Sequence, residues 1–281
     1  MSCFQQLALQ ADIYDRKEAA GQLLSPQLAP RLGRFPDLLL TYREHARQAR
    51  KMKLQPGARV LELGCSTGTF LRSLQREYGV EAHGVDVSQR SVSHARRLCP
   101  SGYWYRASAT ALPFHDRSFD AVLAFDVLEH VGDYASVLRA LARLLRPGGR
   151  VLLHVPVADI AGSCDALWQR YRSERYQAEQ IEAGHFSENL ASKSELLAAC
   201  AGAGLQVEGA RRFNVMFQNL FDYRSRHRVL GRLFNGWRLP FALYHSLVAP
   251  VVELFTVVPD RALAGALDIG ASLYVHARRC G

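Results

Sequence analysis

Along the middle of the chain, short apolar runs alternate with segments whose apolar residues recur every three or four positions. Residues 59–63 (RVLEL) have the length and composition of a buried strand and end at Gly64. Phe70, Leu71, Leu74 and Tyr78 then follow a helical spacing, with Gly79 as a C-terminal stop. Residues 81–87 (EAHGVDV) predict a second strand, and Ser88 can cap the next helix, which must end near Cys99 because Pro100 follows. Three more strands are expected at 104–106, 121–125 and 151–155. Between the last two, Val137, Leu138, Leu141, Leu144 and Leu145 mark a helix that Pro147-Gly148-Gly149 should end. Ser192-Lys193-Ser194-Glu195 is a capping-box pattern opening a helix that runs to Gly204, followed by strands at 205–211 and 272–278. Seven strands with helices between them predict an α/β fold, a Rossmann-like doubly wound sheet.

The flanks divide the chain further. Residues 1–53 read as an N-terminal helical lid, 54–212 plus 272–281 as the Rossmann-like core, and 213–271 as a basic and apolar helical insert. A structureless connection of that length would be unusual, so the insert should contain helices. Its run 241–258 approaches the length of a membrane span but contains His245, Pro250 and Glu253, which favours a buried or interfacial helix pair broken at Pro250.

Composition changes this picture little. Of 281 residues 48% are hydrophobic, as in ordinary globular proteins, and the net charge is +9. That charge is nearly all arginine, the lysines being Lys17, Lys51, Lys53 and Lys193. A basic balance suits nucleic acid, an anionic membrane surface or an acidic substrate, and also follows from a GC-rich coding bias. Six scattered cysteines without a C-x-x-C pair predict reduced thiols and a cytoplasmic protein, and the N-terminus lacks the apolar core of a signal peptide.

The strongest local signal is Val60-Leu61-Glu62-Leu63-Gly64-Cys65-Ser66-Thr67-Gly68-Thr69-Phe70, a strand running through a small-residue turn into a helix. Gly64 and Gly68 permit close approach of a ligand to the backbone, and the helix start offers unpaired N–H groups. G-x-S-x-G also occurs at hydrolase nucleophile elbows, and a tight turn or another nucleotide site would suit it too. No lysine follows in the P-loop position, which excludes a P-loop. Asp86, at the end of the second strand, stands where dinucleotide-type folds place a carboxylate to accept ribose hydroxyls. Together, loop and acid point to an adenosyl ligand.

VLELGCSTGTF, GVDVS (84–88), ATALPFHDRSFDAVLAFDVLEHV (109–131) and LLRPGGRVLLHVP (144–156) resemble, in order and spacing, the successive motifs of class I S-adenosylmethionine-dependent methyltransferases. Leu128-Glu129-His130 is most similar to the ubiquinone-biosynthesis O-methyltransferases and the type 11 small-molecule group. The resemblance implies S-adenosylmethionine as cofactor, S-adenosylhomocysteine as product and no metal. It also implies roles residue by residue. Glu62 would hold the loop near the methionine amino group. Gly64, Cys65, Ser66 and Gly68 would line methionine and ribose. Asp86 would take the ribose hydroxyls, Val87 would pack on adenine, and the Phe125 carbonyl would hold the amino group. Tyr14, within Ala11–Asp15, would form part of a lid over the cofactor. The family usually carries an acid for adenine before the alanine of its third motif, but before Ala109 this chain has Ser108, a hydroxyl that can accept one hydrogen bond.

Methyl transfer is a direct displacement, so the protein chiefly aligns the partners, and a hydroxyl acceptor needs a base. His130, about one turn past the fourth strand, is the first candidate, with His185 and the Glu129 carboxylate as alternatives. His154 reads as a core or sheet-end residue. The insert interleaves Arg224, Arg226, Arg228, Arg232 and Arg238 with Phe217, Phe221, Tyr223, Phe234 and Trp237, a pattern suited to a substrate cap, a homodimer contact or a peripheral membrane contact through 213–258. No RNA-stacking motif accompanies it, so nucleic acid is a poor fit. The expected function is methylation of a small-molecule or lipophilic acceptor at oxygen. RNA or protein methylation, a non-methylating use of the cofactor, or a non-catalytic binding protein are the alternatives.

Overall fold

The computed structural model describes residues 11–13, 15–16, 40–160, 162–171, 173–174, 189–213 and 249–281. Seven strands, β1 (Arg59–Leu63), β2 (Glu81–Asp86), β3 (Tyr103–Arg106), β4 (Phe119–Phe125), β5 (Leu145–Pro156), β6 (Leu205–Phe213) and β7 (Ser272–Arg279), form one sheet in the order β3-β2-β1-β4-β5-β7-β6. The first five run parallel, and β7 is antiparallel to both β5 and β6. The order reverses between β1 and β4, so the C-terminal ends of these strands open the crevice in which doubly wound folds bind ligands.

Helices α1 (Leu40–Arg50), α2 (Thr69–Tyr78), α3 (Gln89–Leu98), α4 (Tyr134–Leu144), α5 (Cys164–Tyr171), α6 (Lys193–Gly202) and α7 (Ala249–Leu267) complete the described elements. Two apolar layers sandwich the sheet. On one side α4 and α6 meet Leu61, Leu63, Val122, Leu153 and Val275. On the other, α1, α2 and α3 meet Val60, Ala82, Leu123, Leu152 and Tyr274. Alternate residues of one strand serve opposite layers, which is why the parallel strands read as unbroken apolar runs.

The caps follow the sequence. Ser88 accepts the Ser91 N–H and starts α3, and Ser192 with Glu195 closes a capping box on α6. One boundary differs: α4 ends at Leu144, and Pro147-Gly148-Gly149 lies inside β5, whose Leu145 already pairs with Phe119 across a register shift. The proline and glycines make an irregular strand entry there, with the helix already over.

Within the expected insert, α7 is described from Ala249 to Leu267 and carries Pro259 inside it. It is tied to the core: Arg211 donates to the Arg261 carbonyl at 2.8 Å, and Lys193 Nζ meets Asp268 at 2.7 Å. Among the described residues no helix is long and apolar enough to cross a membrane. Residues 214–248, with the Arg and aromatic cluster, lie outside the described residues.

Candidate cofactor cleft and the residues around it

The turn after β1 coils through its backbone conformation. Gly64, Ser66 and Gly68 all take positive φ (70°, 48° and 72°), so the loop coils tightly before α2 begins. Gly68 must be glycine for a second reason: a Cβ there would lie 2.5 Å from the Trp104 ring. Gly68 therefore serves packing, and it is not among the residues lining the two cavities beside the loop.

Those two cavities adjoin at Gly64, Ser66, Phe125 and Asp126, which line both. The first, of about 250 Å³, is walled by Leu63, Val85, Val87, Ala107, Ala109 and Val131, with Asp86 and His130 as polar members. The second, of about 220 Å³, is more polar and is lined by His45, Glu62, Cys65, Thr67, Thr69 and Phe70.

Asp86 is already engaged with the loop. Its Oδ2 accepts the Ser66 N–H and its Oδ1 the Ser88 N–H, each at 2.8 Å. Burial pushes its pKa up, and the two backbone donors oppose that. Glu62 is buried in the wall of the second cavity, and its Oε2 has no hydrogen-bond partner. Burial, helped by the nearby Asp86 charge and opposed by the Leu71 N–H, pushes Glu62 up to about 8. Burial likewise raises the Cys65 thiol well above its usual range, leaving an inert wall residue.

The chain between β4 and α4 supplies the remaining groups. Phe125 ends β4, and Asp126 follows with φ 54°, a left-handed conformation that asparagine and aspartate tolerate better than most residues. Leu128–His130 form a 3-10 turn. His130 reaches the first cavity, whereas Glu129 beside it is fully buried and lines neither cavity. Burial and the Asp126 charge hold the Glu129 carboxyl well above its ordinary pKa. Ser108 bonds within its own turn: its hydroxyl meets Thr110 Oγ at 2.8 Å and accepts the Thr110 N–H. Tyr14 and His185 lie outside the described residues. Asp15, next to Tyr14, is described and accepts from Ser88 Oγ, which ties the N-terminal segment to the start of α3 beside Val87 of the first cavity.

The amino-acid pattern did not single out His45, Asp126 or His154 as a group. His45 stacks on Phe125 with ring centroids 4.1 Å apart and interplanar angle 5°, and its Nδ1 lies 2.7 Å from Tyr274 OH. His154 Nδ1 lies 2.7 Å from Asp126 Oδ1. Burial, then the neighbouring His154, pushes the His45 pKa down to about 3 against the pull of Asp126.

The two cavities meet over the ends of β1 and β4. A family model described as a methyltransferase domain matches residues 34–209. The chain belongs to the class I S-adenosylmethionine-dependent methyltransferases. It is 32% identical over 187 residues to a ubiquinone biosynthesis O-methyltransferase of Xanthomonas axonopodis pv. citri, a match covering 64% of this chain and 74% of that protein. It is also 32% identical over 109 residues to an O-methyltransferase of Aspergillus sclerotiorum, covering 37% of this chain and 41% of that one. Such shorter matches leave out more than half of the relative: across six curated relatives this chain spans 31% to 42% of their length. Among solved structures, a Haemonchus contortus phosphoethanolamine N-methyltransferase 2 shares the fold with TM-score 0.61 at 16% identity, over 85% of this chain and 53% of that one. An S-adenosylmethionine-dependent methyltransferase of Mesorhizobium loti gives TM-score 0.55 at 19% identity, over 83% and 96%.

Of the residues that the sequence motifs single out, Glu62, Gly64, Cys65, Ser66, Asp86, Val87, Ala109 and Phe125 each line one cavity or both. The fit is also chemical. A buried carboxylate oxygen lacking a donor is unfavourable by itself and suits an ammonium group.

Proposed function

We propose that this chain transfers a methyl group from S-adenosylmethionine to the oxygen of a small or lipophilic acceptor. The observation that carries the reading is the pairing of an apolar cavity edged by Asp86 with a polar one holding the orphaned Glu62 oxygen. Adenosine suits the first and the amino-acid end suits the second. When bound, S-adenosylmethionine supplies a methyl group on a positively charged sulfur.

The chain's own residues do the rest. Val87, Ala107 and Ala109 offer apolar walls for a purine, and Asp86 can add ribose hydroxyls to the N–H groups it already holds. Glu62 pairs with the amino group, and the Phe125 carbonyl gives a second acceptor. Phe125 and Asp126, bordering both cavities, mark where the reacting centre falls. His130, on the wall of the first cavity, takes the proton of a hydroxyl acceptor. Names among the relatives, O-methyltransferases and a ubiquinone biosynthesis O-methyltransferase, support oxygen as the methylated atom.

In this reading residues 1–53 act as a lid to which Tyr14 belongs, and His185 is an alternative base. Residues 213–271 serve as a substrate cap, a dimer contact or, through 213–258, a peripheral membrane contact of a cytoplasmic enzyme. Titration of the purified protein with S-adenosylmethionine and S-adenosylhomocysteine tests the cofactor assignment. Saturable binding of both, then methyl incorporation into phenolic or lipid-like hydroxyls, is the expected result. A folded protein that binds neither overturns it.

A further inference from the structure

His45 comes from α1, Asp126 from the turn after β4, and His154 from β5, yet their donor atoms all lie within 4.8 Å of one another. We propose that His45, Asp126 and His154 form a binding site for one divalent first-row transition ion, of the zinc, cobalt or manganese class. Two imidazoles and one carboxylate meeting from three segments is a donor set that leaves further coordination positions open. An ion bonded at ~2.0–2.2 Å holds its ligand atoms roughly 3–4 Å apart, within reach of small rotations of these side chains.

Three further features support it. Each ring has a hydroxyl on one nitrogen: Tyr274 OH lies 2.7 Å from His45 Nδ1, and Ser272 Oγ lies 3.0 Å from His154 Nε2. Metal-binding histidines commonly have such an outer partner, which sets the tautomer and the ring angle. Both rings are buried and pinned, His45 by stacking on Phe125 and both by packing at centroid distances of 5.7 and 4.4 Å from Tyr274. Asp126 adopts its left-handed backbone at this point, and its side chain, 46% exposed, borders both cavities. A site built this way has a buried imidazole floor and a carboxylate facing the cleft. Imidazole-rich donors select against magnesium and calcium, which prefer oxygen.

What the ion would do rests on the function proposed above. A hydroxyl oxygen on an open position loses its proton more readily, and an acceptor with two adjacent oxygens would be held in one orientation. The proton leaves to solvent or to His130, and the oxygen's electron pair forms the new bond to the methyl carbon as the carbon–sulfur bond breaks, its pair staying on the sulfur of the departing S-adenosylhomocysteine.

The test uses the full chain, freed of any affinity tag and of metal by chelation, titrated with cobalt(II) and followed by its visible ligand-field absorption. One ion per chain, with affinity at least roughly tenfold weaker in His154→Gln, His45→Phe and Asp126→Asn, is the expected result. S-adenosylhomocysteine titration of the same samples keeps the two proposals apart. Cofactor binding without a cobalt spectrum overturns the metal site and leaves the methyltransferase reading standing. A cobalt spectrum without cofactor binding does the reverse. Cobalt binding that all three variants retain also overturns the site, because the ion would then sit elsewhere. Circular dichroism and retained S-adenosylhomocysteine binding in His154→Gln show that loss of cobalt is not loss of fold.

Discussion

Asp86 holds Ser66: its Oδ2 accepts the Ser66 N–H at 2.8 Å, tying the end of β2 to the turn that follows β1. The other carboxylate oxygen holds Ser88 at the start of α3. The acid therefore shapes the cavity as well as bordering it, and one substitution should show both roles.

Asp86→Ala strands two backbone donors and removes the proposed ribose partner. Its affinity for S-adenosylhomocysteine should fall by roughly 1–3 kcal/mol, the scale for hydrogen bonds to a charged group. Calorimetry measures this directly, and wild-type affinity would remove the ribose assignment.

Glu62 links cofactor binding to pH. With its pKa pushed up to about 8 by burial, the empty site holds a protonated carboxyl at neutral pH, and pairing with an ammonium requires ionisation. Affinity for S-adenosylhomocysteine should drop as pH falls below about 8, approaching a roughly tenfold loss per unit. Above about 8 the ligand's own amino group deprotonates, so affinity should peak there. Calorimetry in buffers of different ionisation enthalpy should detect the released proton, and Glu62→Gln should abolish the acid-side slope.

The same group sets a stability trend in the empty protein. Its folded pKa lies above the unfolded one, so its stabilising contribution is full below the ordinary glutamate value and lost as pH rises through about 8. Denaturant midpoints of the empty protein should therefore fall across that window, and Glu62→Gln should flatten the curve.

Gly68→Ala combines a strained φ with a Cβ driven into Trp104. Together these should destabilise the fold by about 2–4 kcal/mol in urea unfolding. Adding Trp104→Leu should recover part of the loss. If the second substitution only adds to the damage, the contact with Trp104 is not the cause.

His130→Ala should lower turnover by roughly 10²–10⁴-fold if the imidazole accepts the acceptor's proton, with cofactor affinity little changed. Glu129→Gln keeps the shape of a fully buried group that lines neither cavity, so it should change turnover little. The opposite ranking in steady-state assays would exchange the two residues' roles.

Local pattern by itself determined the elements and their caps: the seven strands, Ser88 and Ser192 at helix starts, the positions of Gly64 and Asp86 at strand ends. These are written within a few residues, through apolar period, capping geometry and backbone freedom, so they are legible without the fold. Only the tertiary structure decided how distant side chains share those ends. It gave Gly68 to Trp104, turned Ser108 onto Thr110, sealed Glu129 while leaving His130 on a cavity wall, and brought His45 and His154 to Asp126. His154 reads as a core residue because it is one, with a buried ring in mid-sheet. Its meeting with Asp126 depends on parallel pairing of β4 with β5, and that with His45 on α1 packing across the sheet. Neither strand pairing nor helix docking leaves a trace in the spacing of residues along one chain, which is why this cluster had to be seen in three dimensions.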